Sequence, residues 1–411
     1  MKQDKEMYPE GGYGWIIVIA SSLSSFVTLS IIQSFGMVLK VTFSESNLTA
    51  TQISLIISMN GAFGMLMGPL IGLMQKSCGC RKAAFLAAFL TTTGIILTSF
   101  SHNFASFVFF HGVITSLGLH SAESTQRLAI NTYFREKRSL VTGFILTFAG
   151  LAPILVPQLF RFLLKVYTSH QTALIYAGIS AHLFISAMLL QPVQKHRKNY
   201  QMIEFNPKQV SHWSKFDFDL LKDPVFDNII LGLSLVTFAE MSFTLLLPFI
   251  LYDSGLNMDQ VAIFLSILGL ADLVSRFASP CVGHWLKKSS RFMFATSIVI
   301  VTIVKTVFIF CKNYNTLLAI AVVLGCAKGL RKVYMWLVVP DYVPLEKLPT
   351  ASGIDLFLRG VCILTGGALV GVLRDATGSY VVSILAMNGV MLVTLLLWTG
   401  EAIIIRCKNK F

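Results

Sequence analysis

Charge is scarce in this chain of 411 residues: Asp, Glu, Lys and Arg together make 13%, against 55% apolar residues. A soluble domain needs about a quarter of its residues charged to cover its surface, so a soluble globular protein is excluded. Acids are scarcer than bases, 20 against 33, which leaves a net charge of +13. Catalytic strings are missing too. No His-Glu-x-x-His, Gly-x-Ser-x-Gly or phosphate-binding loop occurs, and no metal ligands cluster in the apolar stretches. The chain is therefore read as no enzyme, with no cofactor and no metal. Cysteine is limited to seven residues, most of them inside apolar stretches or on the inner side, so no disulfide framework is expected. Cys78 and Cys80 stand too close for the usual zinc spacing. No cleavable signal peptide is read, because the first apolar run is too long for a signal core and leads into further runs.

What is present in abundance is the membrane-length apolar stretch. Runs of about 20 apolar residues can each cross the hydrocarbon core as a helix. They fall near 13–41, 52–75, 83–100, 104–130, 139–166, 171–191, 225–252, 259–286, 291–311, 316–340, 350–373 and 379–406. With the N-terminus inside, the inner loops hold Lys76, Arg81 and Lys82, then Arg135, Lys137 and Arg138, then six cations between Lys195 and Lys222, then Lys287, Lys288, Arg291 and Lys347. The outer loops hold only Lys40, Lys165, Lys312 and Arg374. Both termini are thus expected in the cytoplasm. The cations are scattered over many loops, which speaks for a lipid bilayer as the partner and against nucleic acid. Asn47-Leu48-Thr49 is a glycosylation sequon in the first outer loop.

The longest polar stretch, 192–224, separates a bundle of six spans over 1–191 from a second over 225–411 with a short tail. Six plus six spans joined by an inner linker is the arrangement of major facilitator transporters, so the expected class is an all-α membrane protein of twelve transmembrane helices in two six-helix bundles.

Two strings carry a closer resemblance. Pro9-Glu10-Gly11-Gly12-Tyr13-Gly14-Trp15 opens the first span, and Tyr133-Phe134-Arg135-Glu136-Lys137-Arg138-Ser139-Leu140-Val141-Thr142-Gly143 follows the fourth. They resemble the two signatures of the monocarboxylate transporter family, a branch of the major facilitator superfamily. Tyr13 fills the aromatic slot of the first, Glu136 replaces a usual cation of the second, and Phe148 stands where the family usually has Gly. The resemblance covers the whole twelve-span layout, and Gly371, Asp375, Gly378 and Tyr380 look like the family's end of helix eleven. Gly72, Gly79, Arg81 and Lys82 form a degraded version of the general facilitator loop, with Lys76 where that loop has Asp. A plasma-membrane location and a single-span glycoprotein chaperone for delivery are further implications of the resemblance.

Ionisable residues inside a span cost several kcal/mol if they face lipid, so each is a site candidate. Three pairs place an acid four residues before a base, on one helical face: Glu123 with Arg127, Asp272 with Arg276, and Asp355 with Arg359. Asp272 and Arg276 fall near the middle of the eighth span. A guanidinium holds a carboxylate through two parallel hydrogen bonds, and the neighbouring acid spares the empty site a bare buried cation. The string Gly269 to Arg276 also resembles the eighth helix of proton-linked monocarboxylate carriers. That resemblance implies Arg276 as receiver of the substrate carboxylate and Asp272 as the proton-exchanging group. Gln33 and Thr142 are expected to line the N-terminal half of the substrate site, Thr142 as implied by its place in the second signature.

Gln33 stands where the lactate carriers have a titratable Lys, eighteen residues after the signature Trp. Lys328 at mid-depth of span ten is the candidate replacement, while Arg331 and Lys332 join Glu123, Arg127, Asp355 and Arg359 as inner-gate candidates. Arg161 and Lys305 receive no role. The expected function is transport of small monocarboxylate anions by alternating access, linked to protons. An uncoupled facilitator of aromatic amino acids, and a non-transporting scaffold, remain as alternatives.

Overall fold

The structure is a computed structural model describing residues 8–39, 43, 46, 48–193, 217–311, 313–377 and 379–408. The sequon asparagine Asn47, Lys40, Lys312, Gly378 and most of the linker 192–224 lie outside the described residues.

Among the described residues the structure is helical, with no strand. Twelve helices correspond in order to the twelve apolar runs: α1 Gly14–Val38, α2 Ala50–Leu66, α3 Gly68–Ser99, α4 Phe104–Tyr133, α5 Arg138–Val166, α6 Ser169–Leu189, α7 Pro224–Asp253, α8 Met258–Leu286, α9 Ser290–Phe310, α10 Tyr314–Tyr342, α11 Leu348–Thr377 and α12 Tyr380–Lys408. All but α2 and α10 contain a stretch long and apolar enough to span a bilayer by length and composition alone. The second run is broken at Met67, so its last turns open α3, which is kinked at Gly79 with φ 77°. Inside α4, residues Val108–Thr115 form a π-helical stretch.

The helix starts explain why the runs end where they do. Lipid offers no partner to a helix's free N–H groups, so the chain supplies them from side chains. Thr49 with Gln52, Asn103 with Ser106, Thr168 with Gln171 and Asn257 with Gln260 form reciprocal capping boxes at α2, α4, α6 and α8. Asp223, Ser289 and Asn313 cap α7, α9 and α10.

The chain groups into two compact units, Met1–Asp217 with Pro344–Phe357, and Phe218–Val343 with Leu358–Phe411. In the first unit, α1 buries a row of small polar residues that includes Ser21, Ser24, Ser25, Thr28 and Ser34. Small side chains let helices approach closely where no hydrophobic drive separates helix from lipid. Ser25 donates to Gln126 Oε1 on α4 at 2.6 Å, and Gln126 Nε2 donates to Ser24. The ring of Phe35 stacks on His111.

The two signature strings meet in this unit. The Glu10 carboxylate accepts the N–H groups of Arg135, Glu136 and Lys137 at 2.5, 2.7 and 3.1 Å, while Glu10 N–H donates to Tyr133 O at 3.1 Å. The N–H groups ahead of α5 thus receive an acid that lies 125 residues before Arg135 in the chain. A Cβ on Gly14 would lie 2.8 Å from the Phe134 ring, so glycine is what lets the start of α1 lie against it. Tyr13 and Tyr133 donate to the carbonyls of Leu189 and Gln191 at 3.0 and 2.8 Å, tying the end of α6 into the same clasp. Lys76, where the facilitator loop has Asp, is ion-paired with Asp217 at 2.8 Å.

Candidate anion-binding site

The site in the second unit begins with two glycines. Gly325 and Gly329 are four apart on α10 and present bare backbone to α8. A Cβ on Gly325 would lie 2.7 Å from Ala271 Cβ and 3.1 Å from Asp272 N. A Cβ on Gly329 would lie 2.8 Å from Ser275 Cβ and 3.0 Å from Arg276 N. Ser275 seals the contact by donating to Cys326 O at 2.6 Å. The result is a backbone-level junction of α8 and α10 at the turn that carries Asp272 and Arg276.

Asp272, the midpoint of α8, and Arg276 are 7% and 6% exposed. Arg276 Nε donates to Asp272 Oδ1 at 3.0 Å and Nη2 donates to Oδ2. The guanidinium therefore holds the carboxylate with two parallel bonds, the geometry expected from the four-residue spacing.

On α10, Lys328 and Lys332 follow the glycines at three-residue spacing. Both are half-buried. Lys328 Nζ donates to Thr244 Oγ1 on α7 at 3.0 Å. Arg331 turns the other way. Its Nη2 donates to Glu240 on α7 at 3.3 Å, and its buried Nε has no hydrogen-bond partner among the described residues. Glu240 also accepts from Lys305 Nζ of α9 at 2.6 Å, and that ammonium sits 4.1 Å from the centroid of the Phe243 ring. Lys305 is 0% exposed and Glu240 is 4% exposed. Sequence reasoning missed this triad. It gave Lys305 no role, and the structure makes it a buried ion-pair partner instead. The available signal was an acid, Glu240, in the middle of an apolar span.

The remaining candidates stand elsewhere. On α4, Arg127 pairs with Glu123 at 2.9 Å within one helix face. Thr142 is buried on the first turns of α5, and Gln33 is exposed near the end of α1. Asp355 and Arg359 are both buried on α11. Among the described residues no group of His, Cys, Asp and Glu could hold a metal ion.

Among the described residues, ten helices are long and apolar enough to cross a membrane, and one of them carries a buried carboxylate–guanidinium pair at its middle. The profile of the Major Facilitator Superfamily matches residues 15–367, and the chain belongs to that superfamily. Among curated proteins it is similar to monocarboxylate transporter 13 of Rattus norvegicus, 23% identical over 403 residues that cover 98% of this chain and 91% of the relative. It is also similar to monocarboxylate transporter 2 of Rattus norvegicus, 26% identical over 403 residues covering 90% and 79%. Among solved structures it resembles a bacterial homologue of the iron transporter ferroportin in an outward-facing state, with TM-score 0.78 and 13% identity over 95% of this chain and 100% of that one. FucP in the outward conformation gives TM-score 0.71 and 15% identity over 93% and 98%. These structures share the all-α fold of two six-helix bundles, and the family match with the sequence relatives makes the chain a multi-pass membrane protein. The relatives by sequence are transporters, not enzymes.

Proposed function

We propose that this transporter carries small organic acids of the monocarboxylate class by alternating access, with the substrate carboxylate seated on Arg276. The observation that supports it most is the buried, two-bond Asp272–Arg276 pair at mid-helix. A pair kept only for stability is an expensive choice inside a membrane, because desolvating both charges offsets most of their attraction. A substrate carboxylate that takes the Arg276 fork strips Asp272 of its cation. In this reading Asp272 is the group that exchanges the proton when substrate takes its partner. Substrate and proton then load together, and neither crosses with the site left charged by the other's absence. The resemblance to the family supports a plasma-membrane location, cytoplasmic termini and a glycoprotein chaperone.

Gln33 favours a second reading. A neutral amide replaces the titratable Lys of the lactate carriers, which suits an uncoupled facilitator of aromatic amino acids. The test is uptake of labelled lactate, pyruvate and an aromatic amino acid into oocytes at about pH 6 and about pH 7.5, beside surface-expressed Arg276→Ala. The reading expects carboxylate uptake that rises at the lower pH and is lost in the variant. Uptake indifferent to pH selects the facilitator. Normal carboxylate uptake by Arg276→Ala refutes the assignment of the site.

A further inference from the structure

The general facilitator loop has an acid where this chain has Lys76, and the structure supplies an acid from elsewhere. Asp217, at the end of the linker, brings its Oδ2 to two donors of the first unit. They are Lys76 Nζ on α3 at 2.8 Å and the Thr350 hydroxyl on the first turn of α11 at 3.2 Å. Lys76 and Asp217 are 19% and 22% exposed, and Thr350 is fully buried. A carboxylate beside the first turn of a helix is also favoured by the helix dipole.

These three residues fasten one end of a seam between two bare backbones. Gly68, Gly72 and Lys76 follow four-residue spacing and share a face of α3. A Cβ on Gly72 would lie 2.5 Å from Pro349 O, and one on Gly353 would lie 2.5 Å from Gly68 O. A Cβ on Gly68 would strike Gly353 O and lie 3.0 Å from Leu356 Cβ. Glycines four apart let two helices in a membrane touch backbone to backbone. Asp217 adds a polar fastening to that contact. The seam also lies on a helix that both units share. α11 is a helix of 30 residues that belongs to the first unit through Phe357 and to the second from Leu358. Such a helix cannot keep both sets of contacts when two units shift against each other, as alternating access requires.

We infer that Lys76, Asp217 and Thr350 form a latch across the seam of α3 and α11, closed in this structure and broken when the transporter opens on the side of the loop that carries Lys76. Its polarity is the reverse of the general facilitator loop, with the base on the loop and the acid on the linker. The inference rests on the alternating-access reading above and is independent of the Arg276 assignment.

The test places a reporter thiol on the seam. Leu356, 4% exposed with its Cβ towards Gly68, is replaced by Cys in a full-length chain whose native cysteines are Ser. Alkylation by N-ethylmaleimide is timed in isolated membranes. The variants are Asp217→Asn, Lys76→Gln, the two together, and the swap of Lys76→Asp with Asp217→Lys. Each single variant should raise the alkylation rate about five- to thirtyfold, a charge-assisted hydrogen bond discounted for partial exposure. The double neutral variant should add less than about threefold to either single, because both remove the same pair. The swap should return to within about threefold of the wild type, with the Thr350 hydroxyl accepting instead of donating. A rate unchanged in both single variants, or a swap no slower than the singles, overturns the latch. So does an equal rise at Ala173→Cys, buried on α6, which would mean that the whole unit has loosened. A seam thiol that reacts in the wild type at a rate no variant changes overturns the latch alone. A thiol that never reacts in the wild type or in any variant overturns the alternating-access reading with it.

Discussion

Replacing Glu240 by Ala removes the one carboxylate that Lys305 and Arg331 share. Both cations are almost without exposure, so neither can turn to water for a partner. Breaking a buried pair by deleting one member costs about 3–5 kcal/mol, because the charge left behind is uncompensated. For a unit of this size each kcal/mol moves the unfolding midpoint by about 2–4 °C, so Glu240→Ala should lose about 6–20 °C. Lys305→Met is the informative contrast. It leaves Glu240 with Arg331 at 3.3 Å and puts an apolar chain of similar length beside the Phe243 ring. Its cost should be about half that of Glu240→Ala or less, since no charge is orphaned. Intrinsic-fluorescence melting of the purified transporter in detergent reads both. A larger drop for Lys305→Met than for Glu240→Ala, or no drop for Glu240→Ala, would refute the reasoning that the carboxylate serves two cations.

Gly329→Ala should cost about 1–3 kcal/mol and lower transport, because its methyl would strike α8 at Asp272 and Ser275; Gly269→Ala, on α8 with open space around it, should melt and transport as the wild type. Glu10→Ala should free three N–H groups ahead of α5 and cost about 1–3 kcal/mol, read as a lower melting midpoint and faster proteolysis between Arg135 and Arg138, with Glu10→Gln intermediate.

Much of the fold is legible in the sequence because its signal is local. A run of apolar residues declares a span by itself, and the runs near 225–252 and 259–286 coincide with α7 and α8 to within a few residues. The Asp272–Arg276 pair is legible for the same reason, since both members lie on one turn of one helix. The kink at Gly79 and the π-helical stretch in α4 change hydrogen bonding without changing hydropathy, so the run lengths do not reveal them. Glu240 and Lys305 are 65 residues apart on different helices, and hydropathy says nothing of which spans face each other. The Pro-Glu-Gly-Gly string is recognisable as a motif, yet the work of its acid is visible only once Glu10 is seen receiving residues more than 120 positions away.

The Glu240 triad also bears on the order in which the second unit is made. α10 carries Lys328, Arg331 and Lys332 in its central turns, and a basic residue at mid-span costs about 2.5–3.5 kcal/mol when a helix leaves the translocon alone. Its counter-charge, Glu240, is synthesised three helices earlier, and α9 brings Lys305 to that carboxylate first. Glu240 and Lys305 can neutralise each other once α9 is made, so α10 with Arg331 should insert better behind α7 and α9 than as a lone helix.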